Sequence, residues 1–127
     1  SLLLLAASVA IGYAALPAAA GKIELATTEY DFGRVPNTGA VSQVFEVRNS
    51  GRGPLEITGV STSCGCTTAQ VASNHLAPGA VTDLTVTYDP LAHDGALGEF
   101  LRVVYIRSDD PRTPEASLTI RVTVVEP

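Results

Sequence analysis

The chain has 127 residues, which is enough for one domain and a short additional segment. It carries 13 acidic and 8 basic residues, for a formal net charge of −5, and the basic residues form no run. This balance argues against nucleic acid as a partner, because nucleic-acid-binding domains present clustered positive charge. The lack of a basic run in the sequence also argues against a polybasic contact with anionic lipid.

The first 20 residues differ from the rest of the chain because they contain no charged residue. A helix of that length is about 30 Å long, which matches the hydrocarbon core of a bilayer. A cleaved signal peptide is the alternative, since Pro17 precedes an Ala-x-Ala-like site at residues 18–20. We favour an apolar anchor over residues 1–21, contacting the lipid bilayer through residues 2–20, followed by one domain over residues 22–127. An export-type leader then predicts a single-pass protein of the bacterial inner membrane whose domain lies on the periplasmic side.

Beyond the leader, hydrophobic and polar residues alternate with a period of two, which indicates β-strands. Turn sequences rich in Gly, Pro, Asn and Asp separate these segments, and no helical stripe follows residue 21. About seven short strands in roughly 100 residues predict an immunoglobulin-like antiparallel β-sandwich. The chain has no tryptophan, and its two cysteines are too close in sequence to link two sheets, so aliphatic packing should form the core. The clearest strand segments are residues 41–49, 82–89, 99–107 and 117–125.

Five short sequences of the domain form a recognisable set. They are "DFG" (31–33), "FEVRNSG" (45–51), "PLEI" (54–57), "SCGCTT" (63–68), and "LAPG" leading into "LTVTYDP". Together they resemble the bacterial exported family of Hydin-type immunoglobulin-like domains, long catalogued as a domain of unknown function, and the resemblance is strong over residues 23–88. It implies a small β-sandwich that is exported and often membrane-tethered, and it implies no particular activity.

The cysteine pair is the feature that most directly suggests chemistry. Cys64 and Cys66 are separated only by Gly65. On an extended strand their Cα atoms would be almost 7 Å apart, at about the outer limit for a disulfide. Gly65 allows the backbone to bend and bring the sulfur atoms closer. Because thiols outside the cytoplasm tend to be oxidised, we predict a local Cys64–Cys66 disulfide that shapes a bend.

Two other states of the cysteines remain open. A pair of thiolates on one face suits Cu(I), and a Cys-x-Cys pair on an anchored immunoglobulin-like domain resembles the copper-delivery assembly factor of cytochrome oxidase. In that alternative the chain is a copper-binding metallochaperone whose ligands are Cys64, Cys66 and His75; a zinc site would also need His93. Free thiols with a redox role are the other alternative.

No template for a nucleophilic hydrolase, a zinc metalloprotease or a phosphate-binding loop is present in the sequence. We interpret Asp109 and Asp110 as turn formers beside prolines. Arg102, Tyr105 and Arg107 are candidates for an exposed stripe that binds a partner. We therefore predict a non-catalytic subunit with no cofactor and, as first choice, no metal. It would dock on and stabilise a larger integral membrane protein complex, for which respiratory or photosynthetic complexes are the natural settings.

Overall fold

The alternation of hydrophobic and polar residues forms strands at the positions where the sequence predicts them. The computed structural model describes residues 19–127, which fold into nine strands and one short 3-10 helix. The strands are β1 (Ile23–Leu25), β2 (Glu29–Pro36), β3 (Val41–Asn49), β4 (Leu55–Thr62), β5 (Thr67–Val71), β6 (His75–Leu76), β7 (Val81–Tyr88), β8 (Gly98–Ser108) and β9 (Glu115–Val125). The 3-10 helix, Pro90–His93, lies in the connection from β7 to β8.

The strands form two sheets that enclose one hydrophobic core. A four-stranded sheet has the order β1-β3-β7-β5, and a five-stranded sheet has the order β2-β9-β8-β4-β6. Each strand turns alternate side chains inward, so the inner faces of both sheets supply the core. Fully buried members of the core include Val47, Leu84, Val86, Val104, Ile106, Leu118, Ile120 and Val122.

Strand β2 pairs with β9 in parallel, whereas the other neighbouring strands pair antiparallel. The register of this parallel pair shifts between Asp31 and Arg34. Gly33 lies within the shift with φ of 74°, a backbone conformation that favours glycine, and its N–H donates to Asp31 Oδ1 at 2.7 Å.

The prediction of an all-β fold with two sheets is confirmed, with nine strands instead of about seven. Among the additional strands, β1 has three residues and β6 has two, which is too short for a period of two to be recognised in the sequence. The predicted membrane anchor falls almost entirely on residues 1–18, outside the described residues. Within residues 19–127, no helix is long and apolar enough to cross a bilayer.

Candidate functional site

The cysteine pair lies where the chain passes from the five-stranded to the four-stranded sheet. Strand β4 ends at Thr62 and β5 begins at Thr67, so both cysteines belong to the turn between them. The sulfur atoms of Cys64 and Cys66 lie at bonding distance, and their Cα atoms are 5.2 Å apart. The predicted proximity of the two cysteines is therefore confirmed, and the bend at Gly65 accounts for it.

Hydrogen bonds hold this turn in place from both sides. The N–H of Thr67 donates to the Cys64 carbonyl at 3.1 Å, and the hydroxyl of Thr62 lies 2.9 Å from the same oxygen. Ser63 connects the turn to β8, because its N–H donates to the Val103 carbonyl and its hydroxyl accepts from the Val103 N–H, each at 3.0 Å. The sulfur atoms are thus presented by a fixed backbone.

Arg102 contacts one of the two sulfur atoms. Its Nε–H donates to Cys66 Sγ at 3.2 Å. The guanidinium carbon lies 5.2 Å from the centre of the Phe100 ring, and Nη1–H donates to the Leu101 carbonyl at 2.7 Å. Stacking on an aromatic ring and donation to a carbonyl restrict the guanidinium to one position. A positive charge so close to Cys66 repels a metal cation at that sulfur, so the arrangement suits a thiolate better than it suits Cu(I).

The position of Arg102 differs from the sequence-based prediction. Along β8, Arg102 lies on the same inner face as Phe100 and Val104, whereas Tyr105 and Arg107 lie on the outer face. The predicted stripe is therefore wrong for Arg102, because residues three positions apart on a strand point to opposite faces.

The two sulfur atoms differ in exposure. Cys66 is buried, with 3% of its surface exposed, whereas Cys64 is half-buried. The N–H of Cys66 donates to Cys64 Sγ at 3.2 Å. The Thr67 hydroxyl lies 3.6 Å from Cys66 Sγ, so Cys66 Sγ accepts from both Arg102 and Thr67, whereas Cys64 Sγ accepts from the Cys66 N–H. Cys64 is the sulfur atom that a reagent in solution reaches more easily.

Two buried polar groups at this end of the sandwich have no hydrogen-bond partner within residues 19–127. They are the hydroxyl of Tyr88 and Nδ1 of His93. The His93 ring packs edge-on against Phe100, with 4.9 Å between ring centres. Burial raises the pKa of Tyr88 above its ordinary value; the charge of Arg102 opposes this shift and that of Asp89 adds to it. Tyr88 is therefore a neutral hydrogen-bond donor at neutral pH.

His75 lies far from the cysteines. It belongs to β6 and pairs with Glu56 near the start of β4, whereas Cys64 follows the end of β4. The six steps along the strand from Glu56 to Thr62 span about 20 Å. The alternative ligand set of Cys64, Cys66 and His75 is therefore not brought together. Within the described part of the chain, no group of three or more His, Cys, Asp and Glu side chains is placed to hold a metal ion.

We call the end of the sandwich that contains Cys64, Cys66, Tyr88, His93, Phe100 and Arg102 the cysteine end. At the opposite end, β3 ends, β4 begins and residues 19–22 lie against the domain, and we call it the tether end. It consists of residues 19–23, Asn49–Pro54 and the connection from Ser108 to Glu115.

Asn49 is a fully buried hydrogen-bonding centre at the tether end. Its Oδ1 accepts from the N–H groups of Lys22 at 3.1 Å and Gly51 at 3.0 Å. Its Nδ2 donates to the carbonyls of Gly53 at 2.9 Å and Leu76 at 3.0 Å. Sequence analysis did not single out Asn49, although it occupies the inward position that follows Phe45 and Val47 in β3, where a polar residue is unexpected.

Asp110 is the second buried centre, with 2% of its surface exposed. As predicted for a turn former, its Oδ1 accepts from the N–H groups of Arg112 at 2.9 Å and Thr113 at 3.2 Å. Its Oδ2 also accepts from Ile23 N–H at 2.9 Å, which attaches β1 to this turn. Burial alone would raise the pKa of Asp110, but these hydrogen bonds and the charge of Lys22 outweigh burial and lower it.

Two glycines give room for the backbone of residues 19–22. A Cβ at Gly53 would lie only 2.3 Å from the Ala19 carbonyl oxygen, and a Cβ at Gly51 only 2.5 Å from that of Ala20. The N–H of Gly53 donates to the Ala20 carbonyl at 3.1 Å, and Ser50 N–H donates to Lys22 O at 2.9 Å. Residues 19–22 are therefore fixed to the body of the domain.

Taken together, the two packed sheets and the cysteine-bearing turn define a small β-sandwich module. Residues 23–124 match the family described as a protein of unknown function (DUF1573). The chain belongs to this DUF1573 family. No protein with a curated function is significantly similar to the chain.

Solved structures show the same fold in other settings. A Porphyromonas gingivalis W83 protein of unknown function is 28% identical, with a TM-score of 0.76; the match covers 87% of this chain and 50% of that protein. This chain therefore spans about half the length of that relative.

More distant structures show the fold alone. PapD-like domain 7 of human CEP192, an ASH / PapD-like domain, is 11% identical, with a TM-score of 0.67 and coverage of 84% of this chain and 87% of that one. The E. coli chaperone DraB is 14% identical, with a TM-score of 0.53 and coverage of 84% and 56%.

Proposed function

We propose that this chain is a non-catalytic, membrane-anchored extracytoplasmic subunit that docks on and stabilises a larger membrane protein complex. Its described part serves as an immunoglobulin-like interaction module of the Hydin type. A respiratory or photosynthetic complex of the bacterial inner membrane is the setting we favour. The observation that carries this proposal is a row of apolar side chains on the outer face of the five-stranded sheet.

The outer row consists of Leu101, Val103 and Tyr105, alternate residues of β8 that point away from the core. Leu101 is 52% exposed, and Val103 and Tyr105 are half-buried. Strand β8 lies inside the sheet between β9 and β4, so a partner would cover the face of the sheet at this row.

Arginines stand beside the outer row. Arg121 of β9 lies directly opposite Leu101, and Arg107 continues the row, with its Nε 3.3 Å from Glu115 Oε2. Aromatic and arginine side chains around an apolar centre are typical of protein–protein interfaces. The row and its rim together therefore have the composition of a docking face.

The tether end supports the anchored arrangement. A groove of about 650 Å³ at this end is lined by Lys22, Arg52 and Arg112, together with Asp110. The sequence contains no basic run, yet the fold gathers three of its eight basic residues around the departure point of the leader. Basic side chains close to an anionic membrane surface each contribute about 1 kcal/mol of attraction. This charge distribution fits an end of the domain that faces lipid headgroups.

Co-purification of the intact protein in mild detergent tests the proposal. We expect a stoichiometric integral membrane partner, and we expect Leu101→Asp to abolish its recovery. Val44→Asp is the matched control, because Val44 is 51% exposed on the outer face of the other sheet and its substitution should leave the partner bound. An intact protein that is recovered alone as a monomer would overturn the proposal, and so would a partner that Leu101→Asp retains.

A further inference from the structure

The disulfide contributes little to the stability of the fold as a whole. Cys64 and Cys66 are separated by one residue, and a cross-link restricts the unfolded chain least when the loop that it closes is short. The turn is already held by the backbone hydrogen bonds of Ser63 and Thr67. The surroundings of the two sulfur atoms are therefore a better guide to the role of this disulfide than its place in the chain.

We propose that Cys64–Cys66 is a redox-active disulfide that exchanges with a dithiol partner, with Cys64 as the attacked sulfur atom and Cys66 as the leaving thiolate stabilised by Arg102. This proposal is independent of the anchored docking function proposed above, because it rests on the two cysteines and the inward-facing Arg102, whereas docking uses the outer face of β8.

Differential exposure determines the direction of attack. An incoming thiolate reaches half-buried Cys64 more easily than Cys66, which is 3% exposed. Access and the stability of the departing thiolate both govern which sulfur atom is attacked in thiol–disulfide exchange. Here the accessible sulfur atom is Cys64, and the sulfur atom beside the guanidinium is Cys66. Both factors favour the same direction.

The hydrogen-bond donors needed by the products are already in position. Arg102 Nε–H points at Cys66 Sγ from 3.2 Å, and the N–H of Cys66 points at Cys64 Sγ from 3.2 Å. Nearby positive charge lowers the pKa of a thiol and increases its thiolate fraction. Phe100 and the Leu101 carbonyl restrict the guanidinium before the reaction, so little reorganisation is needed as charge develops on sulfur.

The remaining titratable groups around this site are consistent with a negative charge on Cys66. Tyr88, which closes β7, is neutral at neutral pH and has a hydroxyl without a partner, and it lies close enough to Arg102 for that charge to influence its pKa. Asp89 adds a negative charge, but its Oδ1 accepts from the N–H of Leu91 in the 3-10 helix. His93 faces Phe100. Arg102 is therefore the group that directly offsets the thiolate charge.

The exchange balances in two steps. A thiolate of the dithiol attacks Cys64 Sγ; a mixed disulfide forms, the Cys64–Cys66 bond breaks, and its electron pair leaves with Cys66. The second thiolate of the dithiol then attacks the dithiol sulfur atom that is bonded to Cys64 in the mixed disulfide. This releases Cys64 as a thiolate, which takes a proton from solvent. The dithiol is oxidised to a disulfide by two electrons, and the Cys64–Cys66 pair is reduced by two.

The first test uses the unmodified protein. The oxidised intact protein is mixed with the monothiol glutathione, quenched with acid, alkylated, and mapped by peptide mass spectrometry. We expect glutathione on Cys64 and the alkylating group on Cys66. Glutathione found mainly on Cys66 would overturn the proposed direction, and a disulfide that resists both glutathione and dithiothreitol in the folded protein would overturn the redox activity.

The second test isolates Arg102. The rate of reduction by dithiothreitol is compared between the unmodified protein, Arg102→Gln, Arg102→Lys and Arg48→Gln. Loss of the charge should raise the pKa of the leaving thiol, so Arg102→Gln should be reduced at least about threefold more slowly. Arg102→Lys should recover part of that loss. Arg48→Gln is the control, because Arg48 is exposed on β3 of the other sheet, and its substitution should leave the rate unchanged. An equal rate for Arg102→Gln, in protein whose circular dichroism is unchanged, would overturn the role of Arg102.

Discussion

The tether end and the cysteine end of the sandwich differ in whether their buried polar groups have hydrogen-bond partners. At the tether end, both polar atoms of Asn49 and both carboxylate oxygens of Asp110 have hydrogen-bond partners. At the cysteine end, the hydroxyl of Tyr88 and Nδ1 of His93 have none within residues 19–127. Burying a polar group without a partner opposes folding, so such groups are rare in native proteins. The difference indicates that the tether end is organised for rigidity, whereas the cysteine end keeps unused hydrogen-bonding capacity beside a reactive bond.

The largest effect that tests this contrast is expected at Asn49. Asn49→Ala removes four hydrogen bonds and leaves backbone groups of Lys22, Gly51, Gly53 and Leu76 without their partner. At about 1 kcal/mol for each group, we expect a loss of about 4 kcal/mol in the free energy of unfolding, measured with urea.

Asn37→Ala is the control for this substitution. Asn37 makes one side-chain hydrogen bond, from Nδ2 to the Gly95 carbonyl at 3.0 Å, and should cost about 1 kcal/mol. Equal losses at the two asparagines would contradict the assignment of Asn49 as a centre of the tether end.

Asp110→Asn should cause the next largest loss in the free energy of unfolding. The amide cannot accept from Ile23 N–H if its oxygen keeps the bonds to Arg112 and Thr113, so we expect a loss of about 3 kcal/mol at pH 7. Because the pKa of Asp110 is lowered in the folded state, its contribution is fully present above the unfolded pKa of about 3.9 and is lost as the pH falls through the folded pKa.

The pH dependence separates this effect from a simple loss of packing. Urea unfolding between pH 7 and pH 2 should show the unmodified protein losing more stability than Asp110→Asn below about pH 4, so that the two curves converge. The neighbouring Asp109, which is exposed and accepts only from Glu56 N–H, provides the control in Asp109→Asn. Parallel curves for Asp110→Asn and the unmodified protein would contradict the role of the carboxylate charge.

Gly53→Ala should displace residues 19–21, which pack against Gly53. The new Cβ would meet the Ala19 carbonyl oxygen at 2.3 Å, so residues 19–21 must move, at a cost of about 2 kcal/mol. We expect a lower melting temperature and faster hydrogen exchange at the backbone amide of residue 53, which donates to the Ala20 carbonyl in the unmodified protein. Gly39→Ala is the control, because its Cβ would meet no atom within 4 Å. Similar melting temperatures for the two variants would argue against a tightly fixed tether.

Tyr88→Phe should have the smallest effect and the opposite sign. Removing a buried hydroxyl that has no partner should leave stability unchanged or raise it by about 0.5 kcal/mol. Tyr30→Phe is the comparison, since the Tyr30 hydroxyl donates to Gln43 Oε1 at 3.3 Å and its loss should be mildly destabilising. Thermal unfolding measures both. A clear destabilisation by Tyr88→Phe would show that the cysteine end satisfies this hydroxyl after all and would remove the contrast between the ends.

The strands were the most predictable part of the molecule. Alternation placed β3 at residues 41–49, as observed, and placed β7, β8 and β9 within one or two residues of their observed ends. The turn at Gly65 and the proximity of its flanking cysteines also followed from the sequence, because both depend only on neighbouring residues. Strands β1 and β6 escaped prediction because partners distant in sequence hold them in place.

Much of the candidate site could not be predicted for the same reason. The contact between Arg102 and Cys66 joins β8 to the turn between β4 and β5, and the register of β4 with β8 brings the two residues together. A signal was nevertheless present: Arg102 alternates with Phe100 and Val104, and an arginine in an inward position calls for a buried partner. Likewise, the bond from Ile23 to Asp110 spans most of the domain, so the sequence revealed only the local turn that Asp110 forms.

The parallel pairing of β2 with β9 has a consequence for how the protein is made. Glu29, near the start of the domain, lies beside Thr119, near its end. Contacts between residues so distant in sequence slow folding, because a long loop must close before they form. The five-stranded sheet therefore cannot be completed until β9 has been synthesised, and the pairing edge of β2 stays open until then. A domain of this topology therefore stays incompletely folded until its last strand has been made.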